Sequence, residues 1–414
     1  MEISPQEPDL FDAPRSLPDE SVITQRSLVD LVWQLRWESD YCRHTETLFT
    51  PLNIWRDLDL CPPAIMRELP GQRVGAILTY RFGRGEIVPA PDGQQIRELP
   101  RESFAQGRLQ PHVGRFYPLG LLREYPLFGQ AFRCVGLTPT ALTADLNHPL
   151  AGRSLEIGVT VRRIRRKKGD TGGQCQDWLN QLLDGPGQQS RWRGQPTDFF
   201  GADAMLREDN LADRQFYAQP RLVSHLDQQA RQTISELYGR LLRSDGRMLD
   251  LMSSWQSHLP TAWRPPELVG LGLNAEELRQ NPQLSSYLVH DLNQDPNLPF
   301  DDASFDAVLC TASVEYLIRP LEVFAEVRRV LKAGGIFIVT FANRWFPPKV
   351  IRIWTELLDF ERLGLTLEYF LRAGGFTALE TFSARGWPRP TDDKYFPQYR
   401  FSDPVFAAWG RKGN

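Results

Sequence analysis

Apolar positions in the second half of the chain gather into short continuous runs separated by stripes of helical period. Phe305-Asp306-Ala307-Val308-Leu309-Cys310 is almost uninterrupted, the pattern of a strand buried on both faces. The Asp-Asp-Ala-Ser segment before it is turn chemistry. Downstream, Pro320 suits a first helical turn, and Leu321, Phe324, Val327 and Leu331 recur at helical spacing. Glu322 near the start and Arg328, Arg329 and Lys332 near the end complement the helix macrodipole. Gly334-Gly335 stops that helix, and Ile336 to Phe341 forms a second apolar run, so the unit reads strand, helix, strand with a right-handed crossover.

The same alternation continues on both sides. Leu226, Ala230, Ile234, Leu237 and Leu241 form a helical stripe behind a capping-box-like start at Ser224 and Asp227. Strands are predicted at 247–251, 268–274 and 287–292. Leu363 to Gly375 reads as a helix with its glycine stop, and Phe376 to Phe382 and Asp403 to Trp409 as two closing strands. The first half has another rhythm. Leu155, Ile157, Val159 and Val161 alternate with polar or small residues, the period of a half-buried antiparallel strand, and Val74 to Phe82 is also β-like. Between Ser27 and Tyr41, Leu28, Leu31, Val32 and Leu35 share one helical stripe, which predicts a short amphipathic helix.

At 414 residues the chain exceeds the size at which single cores stop growing, so two domains are expected. The Pro-rich, acidic stretch 1–25 reads as a flexible leader, and the Gly-, Gln- and Pro-rich stretch 167–196 as a linker between a domain over 26–166 and one over 197–414. Net charge is -3, which excludes a general drive toward nucleic acid or anionic membrane. The one basic cluster, Arg162 to Lys168, lacks interleaved aromatics and reads as a solvated linker end. The five cysteines form no CxxC pair, arguing against zinc or a disulfide framework and for a reducing cytoplasm. No apolar run approaches the roughly 20 residues that span a bilayer.

LPFDDASFDAVLC followed by RVLKAGG closely resembles the fourth strand, helix and fifth strand of class I S-adenosylmethionine (SAM) dependent methyltransferases of the type 11 branch. That resemblance implies an α/β fold: a Rossmann-like, doubly wound seven-stranded sheet whose last strand lies antiparallel between its neighbours. It also implies S-adenosyl-L-methionine as cofactor, a methyl acceptor that is an unknown small molecule or protein, and no nucleic acid or membrane partner. Carried onto this sequence, the first-strand motif covers Asp250, Met252 and Ser253, with Met252, Ser254 and Gln256 where the family shows Gly-x-Gly-x-Gly and the bulky Trp255 between them. Gly272 stands where an acidic ribose ligand is customary, leaving Asn274, Glu276 or Glu277 as substitutes. Asp291, with Leu292 beside it, matches the residue that receives the adenine amino group, although a carboxylate at a strand end also serves as a turn former. Thr311, Ala312, Ser313, Glu315 and Tyr316 would line the floor, Tyr217 would lie over the cofactor, and Glu315 and His258 are the candidate bases. Acceptor specificity would sit in the Arg344–Leu358 insert.

ADLNHPLAGRSLEIGVTV resembles the closing strand of FKBP-type prolyl isomerases of the SlyD type, and ELPRESF their flap insert. The resemblance implies a separate, mainly β FKBP-like N-terminal domain, with Ile157 where that family usually has an aromatic pocket residue. Two other functional readings stand beside the methyltransferase: a cofactor-free scaffold of the same shape, and prolyl isomerase or chaperone activity in the first domain.

Overall fold

The computed structural model describes residues 20–54, 62–105, 109–123, 125, 131–166, 177–263 and 265–413. The N-terminal half contains β1 (Ser27–Glu38), β2 (Cys42–Asn53), α1 (Pro63–Glu68), β3 (Ile77–Phe82), β4 (Ile96–Pro100), β5 (Phe116–Pro118), β6 (Ala131–Leu137), β7 (Ala141–Asp145) and β8 (Leu155–Arg166). After α2 (Trp178–Leu183) and α3 (Asp213–Phe216) come α4 (Gln228–Leu241), β9 (Arg247–Leu251), β10 (Glu267–Gly272), α5 (Ala275–Gln280), β11 (Ser286–Val289) and β12 (Phe305–Thr311). The chain closes with α6 (Pro320–Val330), β13 (Leu331–Phe341), α7 (Arg352–Glu356), α8 (Asp359–Ala373), β14 (Phe376–Arg385) and β15 (Val405–Lys412).

The C-terminal strands run in the order β11-β10-β9-β12-β13-β15-β14. The first five are parallel, and β15 lies antiparallel between β13 and β14, as the sequence leads one to expect. Phe324 of α6 and Phe370 of α8 pack edge-on at 5.0 Å and cover one face. On the other, Tyr238 of α4 is fully buried and its hydroxyl bonds Thr311 and Thr340 at 2.6 and 3.0 Å. The predicted helix start moves by three residues, because Asp227 rather than Ser224 caps α4 by accepting from the Ala230 amide.

Instead of two separate bodies, one 11-stranded sheet runs through both halves. β2 pairs in parallel with β14, from Leu379 opposite Cys42 to Arg385 opposite Leu48, and β1, β8 and β3 continue the sheet outward. Buried polar groups tie this seam. Glu46, wholly buried, accepts from Gln189 at 2.7 Å and Ser383 at 2.5 Å, and His44 bonds Thr381 at 2.7 Å. A second, four-stranded sheet, β4-β7-β6-β5, stands apart with its own small core around Phe104, Tyr117 and Phe132.

The helix expected over 27–41 is the strand β1. Ser27, Val29, Leu31, Trp33, Leu35 and Trp37 are its buried positions, a period of two that the overlapping helical stripe obscures. The leader is firm where it is described: Ile23 is 2% exposed and exchanges backbone bonds with the 71–72 turn. Nor is the linker a loose tether. Residues 167–176 lie outside the described residues, but Trp178, Leu182 and Leu183 enter the N-terminal core and Arg191 grips Glu368 at 2.6 Å. Arginines of the basic cluster continue β8, with Arg165 paired to Asp30.

Candidate functional site

At the carboxyl ends of β9, β10, β11 and β12 lies a cavity of about 160 Å³, the place where open α/β sheets bind ligands. Its first wall is the turn after β9. Met252 adopts φ 56°, so the left-handed turn is built without the usual glycine, at a strain on the order of 1 kcal/mol. Buried hydrogen bonds hold it there. The Ser253 amide donates to Leu271 O at 2.7 Å, and the Ser253 and Ser257 hydroxyls both donate to Asp250 at 2.6 Å. Asn281 reaches across from beyond α5 to Ser254 O at 2.9 Å and the Ser257 hydroxyl at 2.8 Å. Burial pushes the Asp250 carboxyl up to about 6, with the two serine hydroxyls opposing that rise. Asp250 therefore anchors the turn from below.

The second wall explains the missing acid. A Cβ on Gly272 would stand 2.2 Å from Ser253 O, so no side chain fits there, acidic or otherwise. Asn274, expected in its place, lines the cavity with its side chain tied into the fold. Its Oδ1 caps α5 by accepting from the Glu276 and Glu277 amides at 3.0 and 3.1 Å, and its Nδ2 donates to Tyr217 O and Ala218 O, leaving the amide fully committed. Glu277 does line the cavity, bonded to the Ser254 hydroxyl at 2.6 Å and the Arg221 amide at 2.7 Å.

Asp291 and Leu292 line the third wall and are 6% and 4% exposed. Asp291 Oδ1 accepts from the Asn293 amide at 3.0 Å, so turn formation occupies one carboxylate oxygen at this cavity-lining position. Ser313 and Tyr316 form part of the floor with Thr311 and Ala312. Trp255 lines the cavity half-buried, with its indole NH directed at Val223 O, 3.3 Å away. The cavity persists beside it.

Over the top sit Phe216, Tyr217 and Phe346, ring against ring at 4.9 to 6.4 Å. The Arg221 guanidinium lies among them, 4.4 Å from the Phe216 ring and 4.9 Å from that of Phe346. Its Nη2 donates to Phe216 O, whereas Nη1 is buried with no hydrogen-bond partner. A buried, unmatched N–H of a cation costs about 1–3 kcal/mol or more, and here it belongs to a residue that lines the cavity. Behind the lid, Arg207 and the fully buried Lys349 hold Asp213, locking the 207–217 segment to the loop after β13.

The two candidate bases separate. His258 lines the cavity, but burial beside Arg231 lowers it to about 4, leaving it neutral and weakly basic at pH 7. Glu315 does not line the cavity. It is 1% exposed, Oε2 lacks a partner, and desolvation pushes the carboxyl up to about 8. A protonated acid behind the floor is not a base, so that expectation fails on position as well as charge. Sequence reasoning missed Arg221 and Asn281, since neither lies in a motif and only the fold brings Arg221 to the cavity and Asn281 to the turn.

Among known proteins, a methyltransferase-domain family model matches residues 266–339. A malonyl-[acyl-carrier protein] O-methyltransferase of Marinomonas sp. is 29% identical over 66 residues, 16% of this chain and 24% of that protein; the chain thus spans about a quarter of the length of this curated relative. Solved structures similar to it include a SAM-dependent methyltransferase from Thermotoga maritima, 17% identical over 44% of this chain and 89% of that one with a TM-score of 0.33. Another is an S-adenosylmethionine-dependent methyltransferase from Mesorhizobium loti, 16% identical over 43% of this chain and 96% of that one with a TM-score of 0.27.

Proposed function

We propose that the chain is a SAM-dependent methyltransferase whose donor site is the cavity at the ends of β9 to β12. The observation that carries this reading is the buried, unpartnered Nη1 of Arg221 within a cavity that also presents Asp291, Leu292 and the Met252–Ser254 turn. An amino-acid carboxylate would satisfy that N–H, an adenine would lie along Leu292 with Asp291 in reach of its amino group, and Glu277 offers an acid for ribose hydroxyls now that position 272 has no room. Bound SAM supplies a methyl group on a positively charged sulfur. The protein's part is to align donor and acceptor and to shut out water, tasks suited to the Phe216–Tyr217–Phe346 lid.

His258 is neutral at pH 7 and takes a proton only from an acceptor that is already acidic. The reading therefore favours transfer to an acceptor that needs little deprotonation. Calorimetric titration with SAM and with S-adenosylhomocysteine tests it directly. Binding of both is expected; no heat and no thermal shift at millimolar ligand would end the proposal and leave a scaffold of methyltransferase shape.

The N-terminal half fits an FKBP-like accessory role in this reading rather than an isomerase. Ile157 is wholly buried in the core beneath β8, so it offers no aromatic twisting surface. Added to a proline-limited refolding reaction, the full chain should leave the slow phase unchanged.

A further inference from the structure

A second, larger cleft of about 1480 Å³ lies on the same edge of the sheet, beyond the 343–346 loop that walls off the donor cavity. Both halves of the chain build it: Leu48 to Pro51 of β2 on one side, the start of β15 and the loop before it on the other. Small-molecule pockets run to about 1,000 Å³, so this cleft is sized for something longer.

Its lining is cationic and aromatic. Arg344, Arg362, Arg385, Arg389 and Arg400 face three aspartates. Arg389 is tied to Asp227, Asp393 and Asp403, Arg362 to Asp359, and Arg344, 29% exposed, to Asp403 at 3.3 Å, while Arg385 keeps a buried Nε without a partner and Arg400 is exposed. Phe49, Trp345 and Phe360 supply apolar surface within, and Tyr399 and Phe401 stand 56% and 53% exposed at the lip. Arginine with aromatics is the composition of protein-recognition surfaces.

The sheet itself favours an extended occupant. Pairing of β2 with β14 ends at Leu48 opposite Arg385, where Gly386 turns away at φ 83°, pressed so close to Phe49 O that a Cβ would lie 2.5 Å from it. β2 runs on to Asn53 with β1 as its neighbour on the far side. Among the described residues no strand pairs with the cleft side of β2 from Thr50 to Asn53, and Pro51 sits there as prolines on edge strands do. Pro51 offers no N–H, so an extended segment here would be held through side chains and carbonyl oxygens rather than through a full strand ladder.

We propose that this cleft docks an extended polypeptide segment rich in acidic side chains, and that this polypeptide is the methyl acceptor. The second half of the proposal rests on the function proposed above; the docking does not. Fluorescence anisotropy with a labelled peptide of alternating glutamate and valine, and with its glutamine counterpart, tests it on the full chain with and without S-adenosylhomocysteine. The acidic peptide should bind at least about tenfold more tightly than the neutral one, and weaken on adding salt. Arg400→Glu, an exposed change that leaves thermal melting unmoved, should cut that affinity about tenfold, and Arg344→Gln should do likewise. Equal binding of the two peptides, no binding of either, an unaffected Arg400→Glu variant, or full displacement by millimolar glutarate would each overturn the docking. Should the peptide bind while S-adenosylhomocysteine does not, the donor-site reading fails and the docking stands.

Discussion

Restoring the customary acid at position 272 should damage the protein rather than repair it. An alanine Cβ at Gly272 would lie 2.2 Å from Ser253 O, and relief requires the turn to retreat by about 1 Å, since carbon and oxygen do not approach closer than roughly 3.2 Å. That turn is pinned by the Ser253 amide on Leu271 O and the Ser253 hydroxyl on Asp250. Overpacking costs about 1–3 kcal/mol, and loss of one buried hydrogen bond adds about 1–3 kcal/mol. Gly272→Ala is therefore expected to lose about 2–6 kcal/mol of stability, read as a lowered urea midpoint at unchanged slope. Gly272→Asp should lose at least as much, because it adds a charge, and should bind S-adenosylhomocysteine more weakly than the parent by calorimetry. If Gly272→Asp held its urea midpoint and bound the ligand more tightly, the steric account of this position would be refuted.

Three further outcomes follow from the site. Arg221→Met should weaken S-adenosylhomocysteine about 10- to 100-fold, the worth of a hydrogen bond to a charged group, while leaving 5′-methylthioadenosine, which lacks the amino-acid carboxylate, nearly unchanged; an equal loss for both would displace Arg221 from that role. Asp291→Ala should weaken both ligands together, since each carries the adenine, and an unchanged affinity for either would remove Asp291 from the adenine site. Asp250 titrates near 6 in the folded chain against about 4 when unfolded, so the folded state binds the extra proton and stability contributed by this group falls as pH rises from about 4 to about 6. Asp250→Asn should flatten that part of the stability curve measured by urea denaturation, and an unaltered slope would show that the carboxyl is not held up by burial.

The strand, helix, strand rhythm from Phe305 to Phe341 and the closing elements at the chain's end were legible in the sequence, because fully buried strands and one-sided helices leave patterns that depend only on local periodicity. Asp291, Ser253 and Tyr217, expected at the cofactor, line the cavity, each lying at or near the end of an element. Elsewhere the pattern was ambiguous. Ser27–Glu38 satisfies both a helical and a strand period over its aliphatic residues, and only its long-range pairing with β2 and β8 chooses the strand. The same pairing carries β2 onto β14 and makes one sheet of what length and composition divide into two. Position 272 shows the limit most clearly: its identity is dictated by the carbonyl of a turn nineteen residues earlier, a contact that has no local signature. Arg221 reaches the cavity for the same reason, through a lid that folding lays over it. Sequence by itself determined which segments are strands and helices of the α/β core; tertiary structure decided which side chains share a cavity, because burial and contact are properties of the packed whole.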